Sequence, residues 1–170
     1  MNVAALADSL PFSSNSKNVL RTQWDWLSRI PGGNIVFSKL VAQAAPYTGS
    51  IGPIVEDVRI GYSRVRMADR RAVRNHLNSI HAVALANLAE FTGNLALAYS
   101  LPNDARFIVA GMSVEYLRKA RGTIRGVCQS PVPATSERRE YLVEVSILNE
   151  TGDEVTRATL RSLVSPKKKP

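Results

Sequence analysis

Asn75-His76-Leu77-Asn78-Ser79-Ile80-His81-Ala82 opens a stretch that runs through Glu90 to Leu101 and is closed by Pro102. Val83, Ala84, Leu85, Leu88, Ala89, Phe91, Leu95, Ala96 and Leu97 make it strongly apolar. Alanine and leucine favour helix, and no proline interrupts them before Pro102. The spacing predicts one helix of about six turns. Asn78 or Ser79 is expected to N-cap it, because a short side-chain oxygen accepts from the first free backbone N–H groups. Gly93 is its weak point. Apolar residues cover most of its circumference, the pattern of a helix wrapped by protein on most sides. Four polar residues interrupt it: His81, Asn87, Glu90 and Asn94. A carboxylate is costly to bury without a partner or a shifted pKa, so Glu90 reads as a buried acid with a role.

A segment of this length could cross a bilayer, but an acid, an imidazole and two amides argue against it. The expected home is the concave face of a curved sheet. The chain has 170 residues, 45% hydrophobic and 21% charged. That is enough for one domain with a sizeable core, expected over 1–170 with an N-terminal helical extension at 1–50 and the main body at 55–166. The single cysteine, Cys128, excludes an internal disulfide framework and suits a reducing, cytoplasmic setting. The N-terminal run from Met1 to Pro11 lacks the basic residues of a secretory signal. A net charge of +8 favours anionic partners. Nucleic acid is not expected: aromatics make up only 6% and no recognition motif is present. Two histidines and one cysteine, without an acidic cluster, give no metal site.

Met1 to Lys17 reads as loose. Short helices are expected over Asn18–Ile30, with Trp24 and Trp26, and over Asn34–Ala45, ended by Pro46; they resemble a cover over something apolar. The tryptophans either line a tunnel or pack. Val55–Met67 reads as one strand with a bulge near Gly61-Tyr62. After the central helix come strands at Arg106–Arg118, Gly122–Gln129, Arg138–Asn149 and Glu154–Val164, expected as an antiparallel meander. Apolar residues on both faces of the early Arg106 strand predict burial on both sides there. A basic tail, Lys167 to Lys169, follows Pro166. Strands gathered after a helix, without βαβ alternation, give an α+β class.

Asn75-x5-His81-Ala82-x7-Glu90 resembles the signature of hotdog-fold acyl-CoA thioesterases of the phenylacetyl-CoA type. Gly111 to Gly122 is similar to that family's following strand and turn. The resemblance covers about residues 56–166 and implies a hotdog fold: a long central helix wrapped by a curved antiparallel sheet. It implies a thioester hydrolase in which Glu90 is general base or nucleophile. His81 and Asn75 would polarise the carbonyl or hold the water. Ala82 and Asn78 stand where the family usually has glycine, and the Ala82 N–H would join the oxyanion hole, with Gly111 and Met112 beside the substrate. No cofactor is implied; a coenzyme A or acyl-carrier thioester is the substrate.

Thioester hydrolysis needs an activated water or a carboxylate nucleophile, and donors aimed at the developing oxyanion. Glu90 supplies the first if apolar surroundings raise its pKa. N–H groups at the helix start supply the second. His81 and Glu90 are nine residues apart, which places them on roughly opposite sides of one helix. Two antiparallel helices from two chains would combine them, so a homodimer with two shared sites is expected; the resemblance implies the same, with tetramers as further pairing. Arg118, Lys119 and Arg121 are candidates to meet the phosphates of coenzyme A. Structural alternatives stand beside each role: Glu90 held by an arginine or by Asn94, His81 as a plain helix-start residue, Asn75 as a turn former. The rival function is a non-catalytic acyl-thioester-binding or assembly protein of the same fold.

Overall fold

The computed structural model describes residues 18–167; the Met1–Lys17 segment and Lys168 and Lys169 lie outside the described residues. Three helices come first: α1 (Val19–Leu27), α2 (Gly33–Ala44) and the single turn α3 (Pro46–Gly49). Strands β1 (Ile54–Arg59) and β2 (Tyr62–Met67) precede the central helix α4 (Ala82–Ser100). Strands β3 (Ala105–Tyr116), β4 (Ile124–Gln129), β5 (Arg139–Leu148) and β6 (Glu154–Pro166) follow. The six strands form one antiparallel sheet in the order β1-β2-β4-β5-β6-β3, and α4 packs on all of them.

Val55–Met67 is therefore a hairpin and not one strand. Arg59 pairs with Tyr62 across the two-residue turn Ile60-Gly61, and Gly61 has φ +71°. That left-handed backbone is the shape glycine adopts freely in a tight hairpin. The bulge falls instead at Glu56, between the paired Val55 and Asp57. The strands after α4 are not a simple meander either. The chain leaves α4 at the far side of the sheet, so β3 enters beyond β6, and the 117–123 link carries the chain back to place β4 beside β2.

The core lies between α4 and the sheet, with Leu88, Leu95, Leu97, Met67, Ile124 and Leu160 almost wholly buried. Two glycines allow the close approach. A Cβ on Gly93 would meet Val145 at 3.1 Å and Leu160 at 3.2 Å. A Cβ on Gly126 of β4 would lie 2.3 Å from Thr92 Oγ1. So Gly93, a weak point for helix propensity, is where the helix settles on the sheet. The N-terminal helices are tied to the end of α4. Arg21 donates to the Tyr99 carbonyl at 2.8 Å and the Leu101 carbonyl at 2.9 Å, satisfying acceptors a helix C-terminus leaves open. Asn18 Nδ2 donates to Ala98 O at 2.7 Å. Trp24 packs edge-on against Phe37 with its indole N–H on Val58 O at 2.9 Å, while Trp26 is 65% exposed. Neither indole lines the apolar groove beside α4.

β3 is one edge of the sheet, hydrogen-bonded to β6 alone, and this reverses the expected burial on both sides. Ile108 is 65% and Tyr116 51% exposed, and Met112 is exposed as well. None of the helices among the described residues is long and apolar enough to cross a membrane.

Candidate functional site

The Asn75–Ala82 loop is built by its own side chains. Asn75 Oδ1 accepts from Leu77 N at 2.9 Å, from Ser79 N at 3.3 Å and from Ser79 Oγ at 3.1 Å. Asn75 thus shapes the loop, as its structural alternative required. Asn78 has φ +56°, a left-handed conformation that asparagine tolerates better than most residues. The loop is closed from outside by Ile80 N–H on Ala120 O at 2.9 Å and by Arg121 Nε on Asn78 O at 3.2 Å.

This left-handed turn moves the helix start. The N-cap is His81 and not Asn78 or Ser79, and α4 begins at Ala82. His81 Nδ1 accepts from Val83 N at 3.1 Å. A ring nitrogen that accepts carries no proton, so the neutral ring presents Nε2–H as its donor. The His81 carbonyl takes the N–H groups of Ala84 and Leu85. The Ala82 N–H, at the positive end of the helix dipole, makes no hydrogen bond among the described residues. Tyr116 of β3 donates its hydroxyl to Ala82 O at 3.1 Å and fixes that peptide; nothing in the sequence pattern marked this contact.

Glu90 is not the buried acid expected. It is exposed on a stripe of α4 that the sheet leaves open, with Val83, Ala86 and Asn94 at helical spacing. Asn87, on the covered side, is buried and donates to Tyr47 O at 3.1 Å. Glu90 forms no hydrogen bond or ion pair among the described residues, which leaves the structural-acid alternative without a partner. One turn on, Asn94 Oδ1 is buried and has no partner among the described residues. Glu90 and Asn94 both line an apolar groove of about 370 Å³. Phe91, Leu95 and Ala98 continue that wall, and Leu20 of α1, Val41 of α2 and Ala45 just after α2 face it. The α1–α2 cover thus encloses one flank of the groove.

The structure brings Asn75, His81 and Ala82 together and leaves Glu90 apart. Eight residues of helix separate Ala82 from Glu90, about 12 Å along the axis. Gly111 and Met112 lie in mid-β3, where the register shifts between Val109 and Gly111. Arg118 pairs with Asp153 at 3.4 Å; Lys119 is exposed; Arg121 closes the Asn75 loop. Beside them Arg74 donates to Asp69 at 2.6 Å, and with the Gly122 N–H this holds the Asp69 carboxyl below its ordinary range. Cys128 is wholly buried, which pushes its thiol up to about 12 and makes it inert as a nucleophile.

Residues 33–164 match the family model described as a domain of unknown function, DUF4442. Among solved structures, the structural-genomics protein APC5556 is 33% identical, with 87% of this chain and 99% of that chain covered and a TM-score of 0.75. The Pseudomonas aeruginosa protein PA5026, described as a probable thioesterase, is 23% identical over 81% of this chain and 97% of its own, with a TM-score of 0.70. The E. coli PaaI protein from the phenylacetic acid degradation operon is 15% identical over 74% of this chain and 88% of its own, at 0.62. The last two are similar in fold. No curated protein matches.

Proposed function

The chain belongs to the DUF4442 family and has the hotdog fold of the thioesterase-like proteins, and from that premise we propose that it hydrolyses an acyl thioester of coenzyme A or an acyl carrier. The observation that carries this reading is Glu90 on the wall of an apolar groove. Glu90 is an exposed carboxylate with no hydrogen bond or ion pair among the described residues, and Asn94 stands one turn on along the same wall. A water held through one proton on the exposed Glu90 carboxylate turns its lone pair outward to a carbonyl carbon. Glu90 takes the proton as the water oxygen bonds to that carbon. The carbonyl becomes an oxyanion, met by the Ala82 N–H and His81 Nε2–H. Collapse breaks the C–S bond, and the thiol leaves with a proton returned from Glu90.

A second copy of the chain supplies the geometry. The open stripe of α4 and the unpaired β3 edge, with Ile108 and Met112 exposed, are surfaces that a homodimer would cover. Antiparallel α4 helices would then set Glu90 of one protomer beside His81 and Ala82 of the other. Arg118, Lys119 and Arg121 would meet the coenzyme A phosphates at the loop end, and such a substrate places the protein in the cytoplasm. The test is thiol release from short, medium, long and aromatic acyl-CoAs by the wild type and Glu90→Gln. A positioned base contributes about 10²- to 10⁴-fold, so the variant should lose at least a hundredfold while remaining folded. Equal rates would refute the role of Glu90. The roughly 12 Å between Glu90 and Ala82 within one chain favours the second reading, acyl binding without hydrolysis; tight binding with no turnover by the wild type would establish it.

A further inference from the structure

We infer that the groove beside Glu90 is an acyl-chain site whose length limit is set by the N-terminal helices, and that its ligand class is the medium-length saturated acyl chain. The inference takes its reacting end from the thioester reading above and deepens it. The groove follows α4 from Glu90 past Phe91, Leu95 and Ala98 to Leu101. Glu90 to Ala98 spans eight residues, about 12 Å of helix. The opposite wall is Leu20, Val41 and Ala45, with no charged side chain from α1 or α2 in the lining. An ionic ligand finds no counter-charge along that wall, whereas a hydrocarbon chain gains by leaving water. Polar groups enter at Asn18, Thr48, Arg106 and Lys167, and the amide of Asn18 is already engaged with Ala98 O.

The wall is held in place. Arg21 and Asn18 fasten the start of α1 to the carbonyls ending α4, and the Ser38 hydroxyl of α2 accepts from Val55 N at 2.8 Å. A fixed wall gives a fixed length. A methylene takes about the room of a water molecule, roughly 30 Å³. The 370 Å³ groove therefore holds on the order of twelve carbons.

Two variants fill the groove from opposite walls: Ala98→Phe on α4 and Ala45→Leu at the end of α2. Two readouts apply to each full-length protein. The first is kcat/KM over saturated acyl-CoAs of graded length. The second is displacement of a bound fluorescent fatty acid by unlabelled saturated fatty acids of the same lengths. The wild type should favour medium chains in both. In each variant the ratio of medium-chain to short-chain values should fall at least tenfold. A length profile unmoved in both variants, or lowered equally at every length, overturns the inference. So does a wild type that captures no fatty acid, whether a second copy or the chain's own terminus fills the groove. Capture with the expected profile but no hydrolysis sustains the groove and refutes the thioesterase reading.

Discussion

Gly126→Ala adds one methyl where α4 lies against β4 in the protein's core. The new Cβ would sit 2.3 Å from Thr92 Oγ1, where ordinary contact begins at 3.4 Å, so the surroundings must yield about 1.1 Å. Thr92 has little room to yield. It is wholly buried, its hydroxyl is held by Leu88 O at 2.7 Å, and its carbonyl accepts from Ser63 Oγ at 2.6 Å. Ile147 Cδ1, at 3.3 Å, blocks the other side. Overpacking of this kind costs about 1–3 kcal/mol, and the rigidity of Thr92 places it at the upper end. At about 2–4 °C per kcal/mol for a chain of this size, Tm should fall by roughly 5–10 °C. The assay is thermal unfolding of four proteins: wild type, Gly126→Ala, Thr92→Ala and the double variant. Thr92→Ala removes the clashing oxygen and leaves the Thr92 Cβ at 3.1 Å and Ile147 Cδ1 at 3.3 Å. In that background the Gly126→Ala penalty should fall below about 1 kcal/mol, a coupling typical of touching residues. An unchanged Tm in Gly126→Ala, or an equal penalty in both backgrounds, would refute the proposed packing of α4 on β4.

His81 has a capping role in the structure and a proposed role in the reaction, and two substitutions separate them. His81→Ala loses the cap and should cost about 0.5–2 kcal/mol in denaturant unfolding. His81→Asn keeps an acceptor for the Val83 N–H, so it should retain stability and yet lose thioester turnover as His81→Ala does; full activity in His81→Asn would limit His81 to the cap. Asp69 gives a pH test. Arg74 and the Gly122 N–H lower its carboxyl, so the stability it contributes is complete above the unfolded carboxylate range near pH 4 and is lost as pH falls through the lower native value. Wild type should therefore exceed Asp69→Asn in stability at pH 7 and converge with it in acid, and a gap that widens below pH 4 would contradict this assignment.

Much of the architecture was legible because it rests on local pattern. The apolar run between His81 and Pro102 has the composition and length of one long helix, and period-two alternation marked the later strands. Those signals need no knowledge of neighbours. Asn75, His81 and Ala82 were readable as a cluster because they are close in sequence and a loop keeps them close in space. The hairpin at Gly61 was missed because alternation continues across a two-residue turn, and only the sign of one φ angle breaks it. The helix start was misplaced for a similar reason: Asn78 and Ser79 can cap, but the left-handed backbone at Asn78 and the Ser79–Asn75 bonds use them in the loop first.

What the sequence determined by itself was therefore the set of elements, their order and the chemistry each carries: a long helix with an acid and an amide four residues apart, and strands of alternating polarity. Tertiary structure alone decided which side of that helix the sheet would cover, and so that Glu90 lies open while Asn87 is buried. It also decided that β3 would stand at the edge beyond β6, and that α1 and α2 would wall a groove against α4. Periodicity reports that a residue belongs to a face. Which face is filled depends on partners far away in the chain, whose contacts form only when the whole sheet curls around the helix.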